Sequence, residues 1–177
     1  RGAPVGTDEY YALSVLSNLF GGGMSSRLFQ EIRERRGLVY SIDTFLSAFS
    51  DEGVFGVYAG TGPDLIEEFV PALCDEISRL SSTLSEDEIA RARTQLKANL
   101  LMGMESTGAR AERAGQQMLL YDRVVSVGEL VEKIENVTPE TLAISARQLL
   151  QSTPCLATIG PATNMESFDA IRRRLAA

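Results

Sequence analysis

The sequence contains no histidine and only two cysteines, Cys74 and Cys155, which lie far apart in the chain. Neither cysteine has a second thiol near it at the spacing of a metal site, so the chain cannot build a zinc site of its own. Two distant cysteines also give no disulfide framework. Their scarcity favours a reducing compartment.

Basic residues are in the minority. The chain has 17 Lys and Arg against 24 Asp and Glu, which gives a net charge of −7. This charge opposes attraction to nucleic acid or to an anionic membrane surface, so we expect neither as a partner. The apolar runs are interrupted well short of the roughly 20 residues that cross a bilayer, and no signal peptide is visible.

The composition is that of one ordinary globular domain. The chain has 177 residues, of which 44% are hydrophobic, and a chain of this length buries about 70% of its unfolded surface. No repeat, low-complexity run or linker divides it, so we predict a single domain over residues 1–177. Because the sequence opens on Arg1 and the loop-like stretch 2–6, we expect it to be part of a longer protein.

Apolar residues recur at helical spacing through most of the chain. The first predicted helix covers 8–20 and ends at Gly21-Gly22-Gly23. A second, short and polar helix begins at a cap formed by Ser25 or Ser26 and ends at Gly37, a residue suited to the left-handed position that closes a helix. The other predicted helices run from Pro63 to Leu80, from Ser85 to Leu100, and over about 106–121, 127–135, 139–151 and 165–175.

Three segments have the composition of β-strands. Residues 39–49 and 54–60 flank turn residues and predict an antiparallel hairpin, and 155–159 predicts a third strand. The predicted fold class is α+β, a sandwich of a mixed, mostly antiparallel sheet covered by helices. Three strands are few for so many helices, so we expect the sheet to lack a first strand, which would lie upstream of residue 1.

The segment from Gly21 to Ser41, GGGMSSRLFQEIRERRGLVYS, resembles the signature of the C-terminal half of pitrilysin/insulinase-type zinc metallopeptidases. The similarity is to the branch that contains mitochondrial processing peptidase and its bacterial relatives. Shorter matches at 58–61, 84–89 and 157–161 extend the resemblance over nearly the whole chain.

The resemblance implies one of two related α+β halves that together enclose a chamber. The first half of such peptidases carries zinc on an inverted H-x-x-E-H helix, which this chain lacks, so zinc is expected outside this chain. The second half contributes an Arg and a Tyr seven residues apart that reach toward the scissile peptide. Arg33 and Tyr40 match them. The family's glycine-rich segment implies substrate binding by Gly21, Gly22 and Gly23, for which a simple helix stop is the alternative.

Peptide hydrolysis supplies a physical reason for such a pair. Negative charge develops on the carbonyl oxygen as water adds, and a hydroxyl such as that of Tyr40 can stabilise it. The Arg33 guanidinium offers five fixed N–H donors that can hold a carbonyl or carboxylate in place. Two structural alternatives stay open: Arg33 at the negative end of its helix, and Tyr40 as a half-buried strand aromatic.

The resulting expectation is the substrate-binding half of a zinc metalloendopeptidase that cleaves peptides or unfolded segments, inactive without the zinc-bearing half or partner subunit. A non-catalytic core subunit and a peptide-presenting partner of the same fold are the alternatives. Homo- and heterodimers both stay open. Lysine is scarce beside arginine, which suggests a bacterial protein, and the cytoplasm is its expected compartment. Arg27, Arg35 and Arg36 are expected to be solvated or paired with Glu31 and Glu34.

Overall fold

The computed structural model describes residues 1–176, which form seven α-helices, one π-helix and two strands. The π-helix covers Phe29–Arg35, and the strands are β1 (Ser41–Ala48) and β2 (Gly53–Gly60). No helix in this part of the chain is both long and apolar enough to cross a membrane. The α-helices are α1 (Asp8–Gly21), α2 (Ile66–Arg79), α3 (Glu86–Gly103), α4 (Thr107–Tyr121), α5 (Val127–Glu135), α6 (Pro139–Gln151) and α7 (Phe168–Leu175).

Side-chain caps fix the beginnings of α3 and α6. The Ser85 hydroxyl accepts from the backbone N–H of Glu88, whose carboxylate accepts from the Ser85 N–H, which completes the predicted capping box. Thr138 caps α6 ahead of Pro139 at the first helical position. Each cap satisfies N–H groups that have no partner within the helix, typically worth about 1 kcal/mol. The predicted positions of both helices are therefore confirmed.

The two strands form the predicted antiparallel hairpin, with Ser41 opposite Gly60 and Ala48 opposite Gly53. Residues alternate between the two faces, so that Ile42 is buried against the core and Phe45 is exposed on the other side. The Phe45 ring lies over Gly56, where a Cβ atom would come within 2.2 Å of it. The predicted fold class, α+β with an antiparallel sheet and a helical layer, is confirmed.

Helix α1 forms the centre of the core. It packs against β1, α3, α5 and α6, and its residues Leu13, Leu16 and Phe20 are almost completely buried. Burying a side chain of this kind contributes about 1.5–3 kcal/mol. Helix α2 packs instead against α7 and the π-helix. Because α1 is buried in the core, its C-terminal end gives the segment that follows it a fixed starting point.

The predicted third strand is not formed. Residues 155–159 are extended but exposed, and they pair with no strand in the described part of the chain. In the described residues the sheet thus has two strands, and an isolated bridge pairs Gly2 with Gly53 at the start of β2. A short apolar run becomes a strand only when a neighbour supplies backbone partners, and none of residues 1–176 does so for 155–159. The strand expected upstream of residue 1 stays a prediction.

Candidate functional site

The segment that carries the resemblance connects α1 to β1. Helix α1 ends at the glycines, where the N–H of Gly22 donates to the Asn18 carbonyl at 3.0 Å. After a turn the chain enters the π-helix and leaves it at Gly37, whose φ of +65° is the left-handed conformation predicted for it. Leu38 and Val39 are then buried and lead into β1. Both ends of the segment are therefore anchored in the core.

The helix within this segment differs from the sequence prediction in two ways. Residues Phe29–Arg35 form a π-helix where an ordinary α-helix was expected. Neither predicted serine cap is formed, since Ser25 donates and accepts no side-chain hydrogen bond in residues 1–176 and the buried Ser26 hydroxyl has no partner. Apolar spacing cannot distinguish the two kinds of helix over so few residues. π-Helical turns are rare and frequently occur at functional sites.

Tyr40 lies immediately before β1, at the open end of the hairpin. Its backbone N–H donates to the Gly60 carbonyl at 2.8 Å, which fixes the main chain. Its side chain is 76% exposed, and its hydroxyl makes no hydrogen bond within residues 1–176. The alternative of a half-buried strand aromatic is therefore wrong. Tyr40 has a fixed backbone and a hydroxyl that is free to act on another molecule.

Arg33 lies within the π-helix and is 39% exposed at its side chain. Its guanidinium carbon sits 4.5 Å from the centre of the Phe29 ring, a cation–π contact that orients the planar group. The nearest carboxylate oxygen, on Glu34, is 3.9 Å away. No hydrogen bond or ion pair joins Arg33 to Tyr40 in the described residues. The structure fixes each residue locally, and their joint action on a substrate stays a prediction.

The three glycines have different surroundings. Gly21 is buried, and a Cβ atom there would lie 2.7 Å from the backbone nitrogen of Thr44. The Thr44 hydroxyl donates to the Ser17 carbonyl at 2.7 Å and ties β1 to α1 at the same point. The Gly22 carbonyl accepts from the Gln95 side chain at 3.3 Å. Close packing thus explains Gly21, while substrate contact at Gly21, Gly22 and Gly23 stays a prediction.

We expect Gly21→Ala to destabilise the protein by about 1–3 kcal/mol, because the new methyl group would overlap backbone that α1 and β1 cannot easily separate. The matched control is Gly115→Ala, at an open position of α4, which should stabilise by about 0.5–1 kcal/mol. Urea unfolding of both variants measures the two effects. Equal stability of the two variants would show that the contact between Gly21 and Thr44 is loose.

Arg27 does not have the surroundings expected for it. Its side chain is 9% exposed and pairs with Glu88, not with Glu31 or Glu34. Burial alone would raise the pKa of Glu88, but hydrogen bonds from Ser85 and Arg27 outweigh burial and hold that pKa below its ordinary value. The sequence showed Glu88 only as part of a capping box, so its ion pair with Arg27 was not predicted.

Arg35 does pair with Glu31 at the surface, as expected.

A lowered carboxyl pKa predicts a specific dependence of stability on pH. The stabilisation from Glu88 is complete above the unfolded-state pKa of about 4.3, and it is lost as the pH falls through the lower folded-state pKa. The free energy of unfolding should therefore decrease more steeply between pH 5 and 3 in the wild type than in Glu88→Gln, as thermal unfolding at each pH can measure. Parallel curves for the two proteins would contradict a lowered pKa for Glu88.

The residues present do not fit a zinc ion. In the described residues 1–176, no three Cys, Asp or Glu side chains come close enough together to hold a metal. Cys74 is buried and Cys155 is exposed, and both are free thiols. Burial raises the pKa of the Cys74 thiol, which makes it a poor metal ligand. What the segment offers a ligand is hydrogen-bond donors, on Arg33 and Tyr40.

Comparison with known proteins places these features in a family. A family model described as the peptidase M16 inactive domain matches residues 1–96. A protein of Streptomyces coelicolor named as a zinc protease is 43% identical over 157 residues, which is 88% of this chain and 34% of that protein. The zinc protease YmxG of Bacillus subtilis is 33% identical over 168 residues, 94% of this chain and 41% of YmxG. The chain spans between a third and two fifths of the length of these relatives.

Solved structures show the same fold. A chain of complex III from Candida albicans, with Inz-5 bound, matches 98% of this chain and 44% of its own length, with a TM-score of 0.80 and 21% identity. A conserved protein from Enterococcus faecalis V583 matches 82% of this chain and 34% of its own length, with a TM-score of 0.72 and 23% identity. At these identities the likeness concerns the fold alone.

Proposed function

This chain belongs to the family of the peptidase M16 inactive domain, and from that membership we propose that it is the substrate-binding half of a zinc metalloendopeptidase. The related bacterial proteins that are named as zinc proteases support the general activity. The proposed substrates are peptides or unfolded polypeptide segments. The proposed compartment is the bacterial cytoplasm.

The free hydroxyl of Tyr40 is the observation that carries the proposal. An exposed tyrosine whose hydroxyl has no partner in the described residues gains nothing for folding from that group. In peptide hydrolysis the carbonyl oxygen becomes an oxyanion, and a donor aimed at this atom stabilises the transition state more than the ground state. The backbone bond from Tyr40 to Gly60 fixes the main chain from which this donor extends.

Arg33 supplies the second part of the proposed site. Its stacking on Phe29 restricts the guanidinium plane, and its distance from Glu34 leaves the N–H donors free. A planar fork with fixed donors can hold two oxygen atoms of an extended substrate at once. The role we propose for Arg33 is to hold the substrate in register while Tyr40 donates to the reacting carbonyl.

Zinc must be held outside this chain in this proposal, because the chain has no histidine and no suitable cluster of ligands among its described residues. The proposed source is an N-terminal half or a partner subunit that faces this domain. A non-catalytic core subunit or a peptide-presenting partner has the same fold and remains the alternative. An intact H-x-x-E-H motif in the companion half would favour the enzyme, and its absence would favour the alternative.

The 177-residue chain alone is expected to bind no stoichiometric zinc and to cleave no peptide. Combined with its zinc-bearing half, it should cleave an extended fluorogenic peptide, and a chelator should abolish that cleavage. Metal analysis and a cleavage assay on both preparations test the two statements. Stoichiometric zinc in the isolated chain would contradict the proposal. So would cleavage by the zinc-bearing half that this chain does not increase.

A further inference from the structure

In the segment from Gly21 to Ser41, Arg27 makes the most extensive side-chain contacts. Its Nε and Nη2 atoms donate to the Glu88 carboxylate at 3.0–3.2 Å. Nη1 donates to the Thr83 hydroxyl at 2.8 Å, and Nη2 also donates to the Thr83 carbonyl at 2.9 Å. At 9% exposure, Arg27 has the most buried basic side chain of the ion pairs in residues 1–176. Charge-assisted bonds of this kind in a partly buried setting are the strong ones.

The two partners of Arg27 are themselves held in place. The Glu88 carboxylate also accepts from the backbone and the hydroxyl of Ser85, at 3.1 and 2.8 Å, at the beginning of α3. The Thr83 hydroxyl donates to the Arg79 carbonyl at 2.9 Å, at the end of α2. Arg27 therefore connects the start of the helix that carries Arg33 to the junction between α2 and α3.

This connection matters because the helix that carries Arg33 has no side-chain cap at its beginning, where burial of Leu28 is the other contact that holds it. Ser26 provides no cap, and the π-helix starts two residues after Arg27. At its other end, the segment is held by the bond from the Leu38 N–H to the Ile32 carbonyl, 3.1 Å, and by the burial of Leu38. Without Arg27, burial of Leu28 and Ile32 would still hold the helix on the core, but no side-chain hydrogen bond in residues 1–176 would join it to α3.

We infer that Arg27, through Glu88 and Thr83, is a positioning residue that sets where Arg33 is presented to substrate. The inference rests on the proposed function, in which Arg33 contacts the substrate. Arg27 itself, enclosed by its partners, touches no substrate. A shift of the helix by about 1 Å can cost up to 10²-fold in rate when a reacting geometry depends on it.

A double-mutant cycle in the complete peptidase tests the inference. Arg27→Met should lower kcat/KM about tenfold, mainly through KM, because loss of the connection loosens substrate register. If Arg33→Lys alone costs about 30-fold, the combined variant should also cost about 30-fold, since Arg27 acts through Arg33. A purely structural role would reduce the active fraction and leave KM unchanged. An unchanged KM in Arg27→Met would overturn the inference. So would a loss of about 300-fold in the combined variant, which is the product of the two single losses.

Two further variants keep the test decisive. Arg35→Met removes an exposed ion pair on the same helix and should leave KM unchanged, as a matched control. Arg27→Lys keeps the charge but loses the planar fork, so it should raise KM about threefold even if Arg27→Met fails to fold. A wild-type KM in Arg27→Lys together with a failure of Arg27→Met to fold would overturn the inference.

Amide hydrogen exchange gives a measurement that does not depend on activity. In the complete peptidase, exchange at the Gln30 N–H, which donates to the Ser26 carbonyl at 3.0 Å beside Arg27, should become faster in Arg27→Met, relative to Arg35→Met, by more than any change in global stability explains. Equal exchange in the two variants would overturn the inference. If Arg33→Lys itself leaves the kinetics unchanged, the proposed function fails, and the exchange result still decides whether Arg27 fixes this segment.

Discussion

Tyr40→Phe in the complete peptidase is expected to lower kcat about 100-fold, because loss of one donor to an oxyanion typically costs 10²- to 10³-fold. Folding and zinc content should stay unchanged. The Tyr40 hydroxyl is exposed and makes no hydrogen bond in the described residues, and the phenyl ring keeps whatever packing the tyrosine has. Steady-state kinetics, unfolding curves and metal analysis on the same preparation measure the three quantities.

Tyr58→Phe is the matched control. Tyr58 is another exposed tyrosine on the hairpin, 60% accessible on β2, so its variant should retain wild-type kcat. Wild-type kcat in Tyr40→Phe, measured on zinc-loaded protein, would show that the tyrosine has no part in the chemistry. A large loss of stability in Tyr40→Phe would also contradict the proposal, because the hydroxyl would then have a structural hydrogen bond.

Arg33→Lys is expected to lower kcat/KM about 30-fold, mainly by raising KM. Lysine keeps the positive charge but loses the planar fork and its fixed donors, so the substrate is held less well in register. Stacking on the Phe29 ring should also weaken, since the ammonium group lacks the flat face of guanidinium. The measurement is the KM and kcat of both proteins on one extended peptide.

Arg36→Lys provides the control for Arg33→Lys. Arg36 follows the π-helix directly and is exposed, so the change of residue type there should leave KM unaltered. An equal rise of KM in both variants would indicate a general loss of positive charge density and not a specific contact by Arg33. Unchanged kinetics in Arg33→Lys would show that Arg33 is a surface residue that stacks on Phe29 and does not hold the substrate.

Much of the secondary structure follows from the sequence. Helix α1 has apolar residues at helical spacing and ends at glycines, α3 begins at the capping box of Ser85, and α6 has Pro139 after its cap. These signals are local, since each depends on residues within one or two turns. Residues 155–159 show the limit, because a strand needs a partner that local sequence does not contain.

The candidate site was only partly predictable. Its position came from the motif around Arg33 and Tyr40, and Gly37 adopts the left-handed conformation predicted for the residue that closes the helix. The π-helical register and the surroundings of Arg27 were not predicted. The surroundings of Arg27 depend on contacts with residues more than fifty positions away, such as Glu88, and helical spacing carries no information on such contacts.

The sequence by itself determined the helical elements, the hairpin, the absence of any histidine ligand and the family membership. Only the tertiary structure decided that Tyr40 is exposed with a free hydroxyl and that Arg27 is buried against Glu88. The physical reason is the range of the interactions. Caps and apolar periodicity act between neighbours in the chain, whereas burial and ion pairing depend on which distant elements pack together.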